Sequence, residues 1–248
     1  MKYSEYQPRA DLLKDKIILI TGAGDGIGRA AAISYALHGA TVVLHGRTLN
    51  KLEVIYDEIE SLGAPQPAIL PLQLSTASQH DYELLYDTLE QQFGHLDGIL
   101  HNAGILGDRV ELAHYPIDVW DDVMAVNLRA PFLLTQELMP LLQKSDNASV
   151  VFASSGVGRE VREKWGAYSV SKIAIEAVSK LFAAENVYPN IRFNCINPGG
   201  TRTAMRAKAY PDEDPLSLPT PESIMPAYLY LMGEDSLQMN GQSIDAQD

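Results

Sequence analysis

Lys16-Ile17-Ile18-Leu19-Ile20-Thr21-Gly22-Ala23-Gly24-Asp25-Gly26-Ile27-Gly28-Arg29 is the stretch that decides the fold. Its first six residues are mostly branched and apolar, which reads as a buried strand. Glycines follow at once, and apolar residues at helical spacing run on from Gly28 until Gly39 stops them. A glycine loop between a first strand and a helix lets the main chain turn sharply and approach a phosphate with no Cβ in the way. The helix that follows offers unpaired N–H groups and the positive end of its dipole. Counted from Gly22, GxGxxG would need glycine where Ile27 stands; the spacing that fits is TGxxxGxG, through Gly22, Gly26 and Gly28.

Working outward, the same alternation repeats. Further strands are predicted over 41–44, 69–74, 98–101, 149–153 and 191–196, with helical spacing between them, including two long helices over 119–142 and 167–186. Alternating β and α with buried-type strands predicts one α/β domain over 1–248, a doubly wound parallel sheet in a three-layer α/β/α sandwich. Only 204–223 breaks the rhythm, with Pro211, Pro215, Pro219, Pro221 and the acidic run Asp212-Glu213-Asp214. So long a loop is either functional or a mobile surface segment.

Composition removes several function classes. Nineteen Lys+Arg stand against 32 Asp+Glu, a formal charge of −13, so a nucleic-acid partner is not expected. No apolar run reaches the roughly 18 residues of a membrane span. The polar first twelve residues do not read as a signal peptide. A single cysteine, Cys195, excludes an internal disulfide and a cysteine-based metal site. The expectation is a soluble cytoplasmic protein without a metal.

TGxxxGxG is the form taken by the short-chain dehydrogenase/reductases, and the chain resembles the single-domain branch of that family over nearly its whole length. His101-Asn102-Ala103-Gly104 is close to the family's NNAG, with His101 in place of the first Asn. At a strand end, His101 is expected to be structural rather than a base. The resemblance implies a dinucleotide held by Gly22, Gly24, Asp25, Gly26, Ile27 and Gly28, by Gln73 and Leu74 near the adenine, and by Asn102, Ala103 and Gly104. Asn197-Pro198-Gly199-Gly200-Thr201-Arg202-Thr203 resembles the family's PG segment and implies contacts from Pro198, Gly199, Thr201 and Thr203. After the second strand the usual acid is replaced by Gly46, and Arg47 follows. With no carboxylate to repel it and a guanidinium to fork onto it, a 2′-phosphate is favoured there: NADP(H) over NAD(H). Asp25 occupies a position where NADP-preferring relatives often carry a cation, and Arg29 is the candidate to compensate.

Tyr168 and Lys172 form YxxxK, and positions i and i+4 share one helical face. A tyrosine titrates near 10, and a fixed cation beside it favours the phenolate. Thirteen residues upstream, Ser155 ends a strand and can donate to a developing oxyanion. Ser154 is expected to face away. Asn127 completes the family's Asn-Ser-Tyr-Lys tetrad, so the resemblance implies catalysis by Asn127, Ser155, Tyr168 and Lys172. In that family Lys172 also holds the nicotinamide ribose. Pro131 has no N–H to give the Asn127 carbonyl. That leaves the carbonyl open for a water-mediated proton relay, or else the proline only kinks the helix for packing.

These residues point to NADP(H)-dependent reduction of a carbonyl, or the reverse, on a small-molecule substrate. The alternative is an NADP(H)-binding redox sensor without turnover; a methyltransferase, which shares only the glycine loop, is remote. Pocket walls are expected from 156–165 and from the substrate loop 204–223, with Trp165 either a wall or simply packed. Arg159, Arg162, Lys164, Arg206 and Lys208 lie there as cations that either receive an anionic substrate or stay solvated. The two long helices are those through which family members form dimers or tetramers. The tail Gly241–Asp248 lacks the common DGG ending.

Overall fold

Alternate residues of the first strand face opposite ways, and each side finds its own core. In a computed structural model that describes residues 2–247, Ile18 and Ile20 of β1 (Ile17–Thr21) pack into one apolar cluster and Leu19 into a second. The chain then continues through α1 (Gly26–Leu37), β2 (Thr41–Gly46), α2 (Leu49–Ser61), β3 (Ala68–Pro71), α3 (Gln79–Phe93) and β4 (Gly98–His101). The second half runs α4 (Ile117–Met124), α5 (Ala130–Gln143), β5 (Ala148–Ala153), α6 (Gly166–Glu185), β6 (Ile191–Asn197), α7 (Ala204–Ala209), α8 (Met225–Met232) and β7 (Ser243–Asp245). All strand pairs are parallel, in the order β3-β2-β1-β4-β5-β6-β7, with Leu19 opposite Val43 on one side and Ile99 on the other. This is the doubly wound, single-domain Rossmann-type α/β fold. The chain leaves β1 for β2 on one side and later returns to β4 on the other, which opens a crevice at the strands' C-terminal ends.

Four expectations need correction. The helix over 119–142 is interrupted: Ala125–Arg129 forms one π turn between α4 and α5, with the Ala130 N–H bonded to the Ala125 carbonyl. Pro131 then sits in the first turn of α5, directly after the π turn. The segment 204–223 is not one loop. Thr203 caps α7 by accepting from the Arg206 N–H, and short 3-10 turns at Pro215–Ser217 and Glu222–Ile224 order the remainder. Arg202 anchors the first of these turns by donating to the carbonyls of Pro215 and Leu218. β3 ends at Pro71 rather than at 74, and the three-residue β7 adds a seventh strand.

Arg192, on β6, is 4% exposed and takes no carboxylate partner among the described residues. Its guanidinium donates instead to the carbonyls of Leu231 (3.2 Å), Met232 (3.2 Å) and Gly233 (2.6 Å) at the end of α8, and to Asn147. The last carbonyls of a helix lack intrahelical donors and carry the negative end of its dipole. Burial pulls the Arg192 pKa down to about 10, which leaves the group charged at neutral pH.

Candidate active site

The glycine loop turns from β1 into α1 as its sequence requires. A Cβ on Gly28 would lie 2.1 Å from the Gly22 carbonyl oxygen, so only glycine allows the helix to start this close to the turn. Asp25 accepts from the Gly26 N–H and pairs with Lys51 of α2 at 2.7 Å, which holds its carboxyl below the usual range. On the opposite wall, the N–H groups of Asn102 and Ala103 donate to Thr21 Oγ1, and Asn102 Nδ2 to the Gly22 carbonyl. Two adjoining hollows of about 390 and 330 Å³ run along the ends of β1, β2, β4 and β5.

The inner hollow meets Gly22, Asp25, Gly26, Ile27, Asn102, Ala103, Gly104, Tyr168, Lys172, Pro198 and Thr203. The outer one meets Gly24, Arg47, Gln73 and Leu74. Gly28 lies beneath the loop rather than on its surface. Thr201 also turns inward: its hydroxyl donates to the Pro198 carbonyl, and Gly199 packs on Gln247. Arg29 does not compensate for Asp25, because it is committed to both carboxylate oxygens of Glu58 at 2.7 Å. Two residues not singled out in the sequence stand here. Lys51 lines the outer hollow beside Arg47, a position that a lysine four residues after Arg47 could have suggested. Gln247 donates to the carbonyls of Pro198 and Gly200 and to Thr201 Oγ1, clasping that loop from the chain's far end; no local pattern announced it.

Tyr168 and Lys172 sit side by side on α6, with the ammonium 5.6 Å from the phenol ring centroid. Both are buried. Burial lowers the Lys172 pKa to about 8, and its Nζ donates to the Ala153 carbonyl at 2.7 Å. Burial also dominates at Tyr168, whose phenol is raised; the nearby Ser155 hydroxyl draws it back in part. The phenol is therefore not drawn down toward neutral pH as the cation beside it was expected to do. Asn127, in the π turn, accepts from the Ile105 N–H and donates to the Ile105 carbonyl and Ser171 Oγ. Its whole side chain is thus spent in holding the 105 segment against α6. Ser154 turns away to Glu176, and the Cys195 thiol is buried and pushed up to about 12.

His101 is structural. It is fully buried, bonded to Thr135 Oγ1 through Nε2 and stacked on Phe152, and its pKa is forced down to about 3. His45 on β2 is likewise held down, to about 4. In the unfolded chain both titrate near 6.5. As pH falls below that value the unfolded state takes up protons that the folded state refuses, and stability drops by roughly 1 kcal/mol per pH unit for each histidine. His101→Asn should therefore lose less urea stability than the parent between pH 7 and about 5.5; an unchanged pH slope would count against this assignment.

Comparison with known proteins places this arrangement. Residues 16–214 match the short chain dehydrogenase family model. The uncharacterised oxidoreductase YciK of Escherichia coli K12 is 51% identical over 242 residues, covering 98% of this chain and 96% of that protein. A short chain dehydrogenase of Escherichia coli CFT073, solved with NADPH, has a TM-score of 0.95 at 51% identity over 97% of this chain and all of that one. Its counterpart from Shigella flexneri 2a, solved with NADP, has a TM-score of 0.94 at 50% identity, again over 97% and 100%. The chain belongs to the short-chain dehydrogenase family, and it is an oxidoreductase of that family.

Proposed function

We propose that the cleft binds NADP(H) and that the protein interconverts a carbonyl and an alcohol. The observation that carries this reading is the buried Tyr168–Lys172 pair with the Ser155 hydroxyl acting on the phenol, at the inner end of a cleft floored by the 22–28 loop. The turn into α1, open only to glycine, fits a pyrophosphate. Arg47, which has no carboxylate partner among the described residues and no acid at Gly46 beside it, fits a 2′-phosphate, while Lys51 is committed to Asp25. NADPH, when bound, supplies the hydride. Ser155 and Tyr168 hold the carbonyl oxygen, and Tyr168 hands it a proton. Lys172 favours the phenolate that remains and is placed to hold the ribose. Asn127 keeps the 105 segment against α6, and its backbone carbonyl is the acceptor proposed for the water-mediated relay. The intact tetrad disfavours a sensor without turnover.

Titration with NADPH and NADH, followed by a screen of aldehydes and ketones for NADPH consumption, tests the reading; failure to bind NADPH would refute it. Arg47→Ala should weaken NADPH about 10-fold or more and leave NADH within about 2-fold, because only the former carries the 2′-phosphate. Equal losses for both would show that Arg47 does not read the phosphate. We also propose that copies pair through α5 and α6, where Phe132, Ile173 and Leu181 are exposed. A cytoplasmic location belongs to the same proposal; among the described residues no helix is long and apolar enough to cross a membrane.

A further inference from the structure

Of the pocket-side arginines expected to receive an anion, none is free to do so. Arg159 pairs with Glu176 and Asp245, Arg162 with Glu160, and Arg206 with Glu213 through two 2.6 Å bonds. Arg109 is different. Among the described residues no carboxylate oxygen lies within 4.0 Å of it. Its guanidinium lies 4.4 Å from the Trp165 ring centroid and 5.2 Å from that of Tyr210, and it donates to the Ala209 carbonyl. Its Nε is buried with no partner. A guanidinium has five N–H donors, and withdrawing a charge from water without a counter-charge is costly.

The fold nonetheless builds this position firmly. Gly107 has φ +69°, and a Cβ there would lie 2.3 Å from the Tyr115 hydroxyl. That hydroxyl accepts from the Asp108 N–H, pinning the turn that presents Arg109. Trp165 is 5.7 Å from Tyr168 between ring centroids, and both belong to one small apolar cluster with Leu106, Val157 and Ala209. Arg109 therefore stands one aromatic ring away from the phenol.

From this juxtaposition we infer that Arg109 receives the carboxylate of the substrate, which is an oxo acid whose carbonyl lies at Ser155 and Tyr168. The inference rests on the proposed reductase reading and names its substrate class. A planar guanidinium fork matches a carboxylate with two parallel bonds, and the apolar walls from Leu106, Trp165 and Met205 suit the carbon chain between the two groups. At a net charge of −13 the overall field repels such a substrate, so a cation with no carboxylate partner beside the Trp165–Tyr168 cluster supplies the local attraction.

Two measurements test this. In the first, succinate, adipate and terephthalate are titrated against the Trp165 fluorescence of a Trp120→Phe variant, with terephthalamide and phenyl phosphate as controls. A saturable change is expected with at least one dicarboxylate and not with the diamide, weakened at least 10-fold by adding Arg109→Gln. No response to any dicarboxylate, equal binding by the Arg109→Gln protein, or tighter binding of phenyl phosphate would overturn the carboxylate assignment. In the second, NADPH consumption is compared for 4-carboxybenzaldehyde and 5-oxohexanoate against their methyl esters. The acid-over-ester ratio of kcat/KM should fall at least 10-fold in Arg109→Gln and recover in part in Arg109→Lys, with the esters changed less than 2-fold. An unchanged ratio overturns the inference. The two failures separate cleanly. Dicarboxylate binding through Arg109 without turnover of any carbonyl would defeat the reductase reading and leave only the carboxylate site standing; turnover of the free acids indifferent to Arg109 would defeat the oxo-acid inference alone.

Discussion

Tyr168→Phe should abolish turnover while leaving NADPH binding intact. The substitution removes one oxygen and nothing else: the ring stays packed against Trp165 beside Lys172. On the proposed mechanism, what disappears is the proton that reaches the substrate oxygen as hydride arrives. General-acid contributions of this kind are worth about 10²- to 10⁴-fold, and no other described hydroxyl beside Ser155 stands ready to substitute. Because burial holds the Tyr168 proton tightly, the parent enzyme should favour reduction at neutral pH. Alcohol oxidation needs the phenolate, so it should speed up as pH rises. NADPH titration by fluorescence, alongside NADPH consumption, checks both halves. Turnover within a few-fold of the parent would refute the role of Tyr168.

Arg192→Met should cost about 3 kcal/mol of folding stability or more, with little effect on kcat. The methionine fills similar volume but removes the guanidinium donor from all three carbonyls, leaving Leu231 and Gly233 only the serine hydroxyls of Ser149 and Ser236. Each buried acceptor left short of a donor costs about 1–3 kcal/mol, and α8 is held to the sheet at that end. Arg192→Lys keeps the charge but not the fork, so it should fall between the two. Urea unfolding followed by far-UV circular dichroism measures the series. A loss under about 1 kcal/mol for the methionine variant would mean that the helix end finds its donors elsewhere.

How much was legible depended on how local the signal is. The glycine loop, Ser155, Tyr168 and Lys172 each announce themselves within a few residues, because turn geometry and helical spacing are written along the chain. The first residues of 204–223 carried a signal that the later prolines masked: Thr203 followed by Ala-Met-Arg-Ala-Lys-Ala is a capped helix. β7 had almost none, since only Ile244 of its three residues is buried, and it forms because β6 offers an open edge. Arg29 looked available until α2 brought Glu58 against it. Arg109 lies in a stretch without hydrophobic period, and its significance exists only once Trp165 and Tyr210 fold around it.

The π turn at Ala125–Arg129 can be restated as a matter of phase. Each residue of an α-helix advances about 100° around the axis, so one extra residue rotates everything after it by that angle relative to what came before. α4 and α5 therefore do not share a hydrophobic face. α4 is free to lie along α6, while α5 turns Leu134, Leu138 and Leu141 into the core beneath the sheet. Deleting a single residue from this turn would bring the two helices back into step. The chain would then have to choose which face to bury, and Asn127, at the seam, would swing away from Ile105 whichever it chose.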